Sequence, residues 1–409
     1  MNTAQRAARV MARADELASH SALPDGILRA YLTPEQSRVT TIAAAWMREA
    51  GLRSWPDAAA NVCGRRLVDA DDRPALLLGS HLDTVPGAGR YDGILGVLVA
   101  IEVADRLRDA DLPFALEVVA FGDEEGTRFG TTLLGSRALA GSWNDAWLDL
   151  VDADGVTLRD AATTFGIVPE QIGSAARAPG SLVGYLECHI EQGPRLEELD
   201  RALGVVTAIA AAERRMISFR GEARHAATPR HLRRDALLGA AEAIVAIERI
   251  AREKSCSATV GRIRVEPDAV NVVAGFAEFS LDLRDETASG RDAAWGYIRQ
   301  ELHRIAGDRG LDVDVVSTHV APEAPMADAL RAAVAAGIAA TGDATPVELP
   351  SVAGHDAMAV ADLTGIGMLF VRCAGGISHH ADESVREADV AAAIDAFEAA
   401  VLHLAQTAV

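Results

Sequence analysis

The residues best suited to chemistry stand in short clusters just where apolar runs end. GSHLDTV carries His81 and Asp83, GRYDG carries Asp92, GDEEG carries Glu124 and Glu125, YLECHIEQG carries His189, and GGISHH carries His379 and His380. Imidazole mixed with carboxylate suits zinc, manganese and other divalent first-row ions, and the absence of cysteine from the set speaks against a purely structural zinc. Taken singly, each cluster has an ordinary reading. A histidine and an aspartate two residues apart after a strand make a hydrogen-bonded loop pair, tandem glutamates between glycines make a solvated turn, and His189 on an alternating strand makes a satisfied core imidazole. Their joint occurrence at the ends of successive strands points instead to a metal centre.

The elements that must position these groups follow from hydropathy. ALLLGSH (75–81) and ALEVVAF (115–121) read as short buried strands. Between them, 93–110 carries Leu95, Leu98, Val99, Val103 and Leu107 at helical spacing, with Glu102 as the exception. Strand and helix alternate, which predicts an α/β unit with a largely parallel sheet flanked by helices and ligands at the strands' carboxyl ends. After 185–198 the texture changes to strand, long helix, strand, strand, helix. The helix 234–254 and the alternating strand AEFSLDLR (277–284) predict an inserted α+β module whose antiparallel sheet is open on one side. The α/β pattern resumes with MLFVRC (368–373) and a last helix striped by Val390, Ile394, Phe397, Val401 and Leu404. The expected division is 1–208 with 321–409, and 209–320 between them; 57–74 and 144–181 read as loop-rich excursions.

At 409 residues a two-domain chain is the starting expectation. The formal charge of −20 argues against a nucleic-acid partner, because phosphate binding needs a basic face. No run approaches the ~18 apolar residues of a membrane span, and the start lacks a basic segment followed by an apolar one. Cys63, Cys188, Cys256 and Cys373 are scattered without a close pair, which suits free thiols. A cytoplasmic protein that does not enter membranes is expected.

The ordered set GSHLDTV, GRYDG, FGDEEGTRFG, LGSRALAG, HIEQGP, GEARHAATP, NVVAGFAEFSLDLR, AGHDAM and GISHH resembles the hydantoinase/carbamoylase-type amidases, and the resemblance covers nearly the whole chain. That group lies within the aminoacylase and carboxypeptidase-type metallohydrolases and includes allantoate amidohydrolases and N-carbamoyl-L-amino-acid hydrolases. The resemblance implies two divalent ions (zinc or manganese first, cobalt or nickel also compatible), with Asp92 bridging, His81 and His189 completing one site, and Glu125 and His379 the other. It implies Glu124 as general base, Asp83 behind His81, and a cis peptide at Asp92–Gly93. Gln192 would meet a ureido group, His225 the oxyanion, and Asn271, Arg284, Gly354 and His355 the substrate, with His225 supplied across a homodimer built on the inserted module, which would also act as a lid.

The implied reaction is hydrolysis of a ureido C–N bond in a small carboxylate substrate, with release of ammonia and carbon dioxide. FVRCAGGISHH and FGDEEGTRFG favour allantoate, with Arg372 as an added cation near His379; N-carbamoyl-L-amino acids and β-ureidopropionate are the alternatives. A dipeptidase or aminoacylase would carry a carboxylate where His189 stands, and a non-catalytic binding protein would lack a ligand or the base. Two segments depart from the usual pattern. HAATPR (225–230) is one residue short with Arg230 in place of methionine, and Ala381 replaces a proline after His379.

Overall fold

The computed structural model describes residues 1–67 and 72–407; residues 68–71, inside the 57–74 stretch, and 408–409 lie outside the description. The chain forms two compact units. One comprises Met1–Thr207, Pro325–Leu349 and Gly354–Val409, the other Ala208–Ala324 and Pro350–Ala353.

The first unit is built on a sheet whose central order is Val62–Arg66, Ala115–Phe121, Ala75–His81, Leu182–Ile190, Ile366–Val371 and Leu203–Ile209. The four middle members run parallel, and Val62–Arg66 and Leu203–Ile209 pair antiparallel at either side. Successive strand residues point to opposite faces. Leu76 and Leu78, Leu116 and Val118, Leu186 and Cys188, and Leu369 and Val371 therefore join one core with the helices Thr3–Ala18, Ile94–Arg106 and Glu387–Thr407. His81, His189 and Phe370 occupy the alternate positions. The expected mixed α/β layering is present, with buried parallel strands as near-continuous apolar runs.

Ile94–Arg106 packs against the sheet, the first helix and the last helix, so every residue from Ile94 to Ala104 is buried. At Gly96 a Cβ would lie 2.0 Å from the Cys188 carbonyl oxygen, so only glycine permits this approach. Glu102, the exception in the apolar pattern, is fully buried. It is met by Arg6, Arg9 and Arg13, spaced three and four apart on one face of Thr3–Ala18. Arg13 is itself only 8% exposed. Glu102→Ala should lower stability by about 1–3 kcal/mol, since buried Arg13 and half-buried Arg6 and Arg9 lose their shared acceptor and keep only Glu49 and Asp105. An unchanged thermal midpoint would show that the cluster holds nothing together.

Of the two excursions, 57–74 contains the strand Val62–Arg66, which sequence reasoning missed because of its glycine and paired arginines. Both arginines are buried by pairing. Arg65 donates to Glu117 at 2.7 Å, and Arg66 donates to the carbonyls of Leu107 and Ala110. The 144–181 stretch holds the short helix Leu158–Phe165 between two 3-10 turns, and its own small core gathers Leu148, Leu158 and Ile172 with Tyr31, Phe129 and Leu134.

In the second unit the antiparallel order is Ile263–Glu266, Phe276–Asp285, Ala211–Arg220 and Asp312–Ala321, with Ser257–Thr259 also on Phe276–Asp285. Ala236–Lys254 and Ala288–Arg309 cover one face through Ile247, Ile250, Ile298, Leu302 and Ile305 against Ile217, Phe219, Phe279, Leu281 and Leu283. The other face is polar and carries Arg214, Asp282 and Arg284, as a sheet open on one side requires. Among the described residues no helix is long and apolar enough to cross a membrane.

Candidate metal centre

The parallel strands bring their carboxyl ends level. His81 ends Ala75–His81 opposite Phe121, the last residue of Ala115–Phe121, and His189 pairs with Phe370. Asp123, Glu124 and Glu125 follow the 115–121 strand at the same level. The loop after His81 returns Asp92 to this edge, and the segment after Ile366–Val371 brings His379.

Two groups of donors result, His81–Asp92–His189 and Asp92–Glu125–His379, each with its donor atoms within 4.8 Å of one another. Asp92 belongs to both and turns one oxygen to each. Its Oδ1 lies 3.2 Å from His189 Nε2 and 3.9 Å from His81 Nε2, and its Oδ2 lies 3.0 Å from His379 Nε2. His379 Nε2 is also 3.2 Å from Glu125 Oε1.

The outer nitrogens of the two buried histidines are committed to backbone. His81 Nδ1 donates to the Asp83 carbonyl at 3.1 Å, and His189 Nδ1 donates to the Ile190 carbonyl at 2.9 Å. Each ring thus presents Nε2 inward, as a metal ligand must. Burial pushes both imidazoles down, but Asp83 for His81 and Asp92 for His189 outweigh it and hold them above the ordinary range. Hydrogen bonding to Asp92 and Glu125 pushes His379 up to about 10. The acid oxygens therefore demand positive charge at this place, which is the condition a divalent cation satisfies.

Asp83 does a second task. Its carboxylate accepts from the backbone N–H of Glu124 at 2.9 Å and of Glu125 at 3.1 Å. One side chain thereby ties the 81–83 turn to the 122–126 turn. Glu124 is buried, and desolvation together with Glu125, Asp356 and Asp83 pushes its carboxyl well up against the pull of His81.

Several supports escaped sequence reasoning. Buried Glu383 accepts from the backbone N–H of Tyr91 at 2.8 Å and of Asp92 at 3.1 Å. Ser378 Oγ lies 3.1 Å from Asp92 Oδ2 and 3.0 Å from Glu383 Oε2. Glu187 accepts from Ser80 Oγ at 2.8 Å and from the Ala357 N–H at 3.1 Å, joining the first strand end to the turn that carries Gly354 and His355. Ser378 and Glu383 flank His379 in sequence, which was the available signal; Glu187 had none beyond its polarity on a buried strand.

Gly93 shapes the turn after Asp92 with φ +71°, and a Cβ there would stand 2.4 Å from His81 Cε1 and Nε2. The expected cis bond is corrected here: among the described residues the only cis peptide is Glu266–Pro267, and Asp92–Gly93 turns through glycine's positive φ instead. Gly93→Ala should displace the His81 ring and cost about 1–3 kcal/mol through the positive-φ backbone alone. Metal titration of the variant checks this; wild-type uptake would refute the packing of His81 on Gly93.

Gln192, also at positive φ, donates through Nε2 to Asp92 Oδ2 at 3.0 Å and to Ser378 Oγ at 3.2 Å. A carboxylate can only accept, so the amide orientation is set by Asp92. Its Oε1 is then a buried acceptor with no hydrogen-bond partner among the described residues. Gly354 faces Glu124, with Oε1 3.7 Å from where a Cβ would be. His355 is buried edge-on to His189, with ring centroids 4.4 Å apart, and burial followed by His189 holds it well below the ordinary imidazole range.

Arg372 corrects an expectation. It is buried, forks onto Asp389 at 2.8 and 2.9 Å and donates to Asp200 at 2.9 Å, so its charge is spent on packing the last helix rather than on an anion near His379.

The remaining expected residues lie in the second unit. His225 pairs with Val272 across the Arg224–His225 and Val272–Val273 strands, and the Ala226 N–H donates to the Asn271 carbonyl at 2.8 Å. His225 is exposed, and its Nδ1 accepts from the Ala227 N–H at 3.1 Å. A neutral ring therefore carries its proton on Nε2. Arg284 is half-buried, with Asp282 along one edge of its guanidinium.

Residues 77–403 match the peptidase family M20/M25/M40. An allantoate deiminase of Arabidopsis thaliana is 38% identical, over 94% of this chain and 79% of that one. The N-carbamoyl-L-amino acid amidohydrolase of Geobacillus stearothermophilus is also 38% identical, over 93% of this chain and 94% of that one. The crystal structure of an amidase of the hydantoinase/carbamoylase family from Burkholderia multivorans aligns with a TM-score of 0.88 and 32% identity over 97% of both chains. The chain belongs to the M20/M25/M40 peptidase family. Within it, the chain is a metal-dependent amidohydrolase of the hydantoinase/carbamoylase type.

Proposed function

We propose that the enzyme hydrolyses the ureido C–N bond of a small carboxylate substrate, allantoate ahead of N-carbamoyl-L-amino acids, as a cytoplasmic homodimer holding two divalent ions per chain. The observation that carries the ureido reading is Gln192. Its amide is pinned by Asp92 and Ser378 so that an unpartnered Oε1 stands ready to accept an N–H, which a ureido group offers and an ester or simple carboxylate does not.

The donor sets suit zinc or manganese, held by His81 and His189 on one side, Glu125 and His379 on the other, and Asp92 between. Such ions, when bound, polarise the ureido carbonyl and acidify the attacking water. Glu124 takes the proton from that water as it adds to the carbonyl carbon. A carboxyl raised by burial retains the proton long enough to deliver it to the departing nitrogen, giving ammonia and a carbamate that loses carbon dioxide. Asp83 keeps this base in place through the Glu124 N–H. His225, protonated on Nε2, is a suitable donor to the developing oxyanion, supplied across the dimer by the 209–320 lid domain to the catalytic domain of 1–208 and 321–409. Asn271, Arg284, Gly354 and His355 take the rest of the substrate, with Arg284 on the carboxylate.

With Arg372 removed from the argument, the preference for allantoate rests on FGDEEGTRFG and FVRCAGGISHH, because the plant and bacterial relatives stand at equal identity. The deciding experiment is ammonia release by manganese-loaded protein from allantoate and from several N-carbamoyl-L-amino acids. Release from neither would end the ureido reading, and release from the carbamoyl compounds alone would reassign the substrate. Mixed His225→Ala and Glu124→Ala proteins should regain activity as heterodimers; no recovery would place His225 outside a shared site.

A further inference from the structure

On Phe276–Asp285 the residues Ala277, Phe279, Leu281 and Leu283 enter the helix-covered core, so Asp282 and Arg284 share the opposite face two residues apart. Arg284 Nε donates to Asp282 Oδ1 at 2.6 Å and Nη2 donates to Oδ2 at 3.1 Å, a side-on fork, while Nη1 donates to the Val352 carbonyl at 2.7 Å. Directly across the sheet, Arg214 Nε donates to Asp282 Oδ2 at 3.0 Å. Partial burial pushes the Asp282 carboxyl up, but Arg284 and then Arg214 outweigh it and keep it below the usual carboxylate range. The pair opens on a cavity of about 330 Å³ that it lines with Ser257, Thr259, Val352 and Ala353.

Two guanidinium groups around one carboxylate leave this cluster net positive, so it still attracts an anion. An arginine fork recognises a carboxylate only in one plane, and a free arginine side chain must be ordered to present it. Here that ordering is built in. Side-on bonds to Asp282 and a third to Val352 set the guanidinium plane before any ligand arrives.

We propose that Asp282 is a positioning residue that aims the Arg284 guanidinium and so sets the affinity for the substrate carboxylate without touching the substrate. This rests on the reading of Arg284 as the carboxylate ligand.

The test compares wild type, Asp282→Asn, Asp282→Glu and Arg284→Gln on the ureido acid turned over best, allantoate in our reading, and on its carboxamide. Asp282→Asn should raise KM for the acid about tenfold, the size expected when a rotamer-rich side chain must be ordered on binding, with kcat within about twofold and no change on the carboxamide. Asp282→Glu keeps the charge but shifts the fork by a methylene, so it should raise KM less, again for the acid alone. This variant also carries the test if Asp282→Asn does not fold. An Asp282 variant that leaves KM unchanged while Arg284→Gln raises it overturns the proposal and leaves the Arg284 reading intact. Arg284→Gln with an unchanged KM overturns the Arg284 reading itself and the proposal with it. Equal losses on acid and carboxamide, or a lowered thermal midpoint without a KM change, would mean that Asp282 only braces the sheet.

Discussion

Replacement of Glu124 by glutamine should lower kcat by about 10²- to 10⁴-fold while metal content stays at the wild-type level. The side chain belongs to neither donor group, so its amide removes a base without removing a ligand. The backbone at 124 remains anchored, because Asp83 Oδ1 holds its N–H and not its carboxylate. KM should therefore change little. Glu124→Asp should fall between, since a shorter carboxylate is still a base but sits a methylene away from its place. Steady-state kinetics with metal analysis on the same preparation checks all three statements. A Glu124→Gln enzyme within tenfold of wild type, or one that loses metal, would remove Glu124 from the role of base.

The second large effect belongs to Asp92. Asp92→Asn keeps the size of the side chain and the backbone hydrogen bonds to Glu383, so the turn should fold. One of the two carboxylate oxygens becomes an amide nitrogen, which donates where a cation needs an acceptor. Whichever way the amide turns, one donor group loses its oxygen, and the loss of the whole negative charge of Asp92 weakens the other. Metal content should fall from the wild-type level to near zero, and activity by at least about 10⁴-fold. The substitution separates a shared carboxylate from two independent sites. If one ion were retained at full affinity, the sites would not depend on a common ligand.

The same two residues show how much of the centre was visible in the chain. His81, Glu124, Glu125, His189 and His379 stood out because each closes or follows an apolar run, and Asp92 because it stands just before one; parallel strands buried on both faces are nearly uninterrupted apolar runs. For that reason the apolar runs 75–81 and 115–121 coincide with the strands, and the last helix shows its stripe plainly. The strand Val62–Arg66 was invisible because its arginines are buried by partners at Glu117, Leu107 and Ala110, and a local window contains none of them. Arg372 erred the other way. Proximity in sequence to His379 suggested a ligand-facing cation, while the fold points it at Asp389 and Asp200.

The sequence by itself determined the donor types, their order at the strand ends, and the alternation that separates a helix-covered face from a polar one. These are local properties, set by side-chain chemistry and by periods of two and 3.6 residues. The tertiary structure alone decided that Asp92 turns one oxygen to each donor group, that His81 and His189 give up Nδ1 to backbone carbonyls, and that Glu383 grips a turn nearly three hundred positions earlier in the chain. Those features depend on strand register and on distances of a few tenths of an ångström, which no stretch of residues encodes until distant segments are packed together.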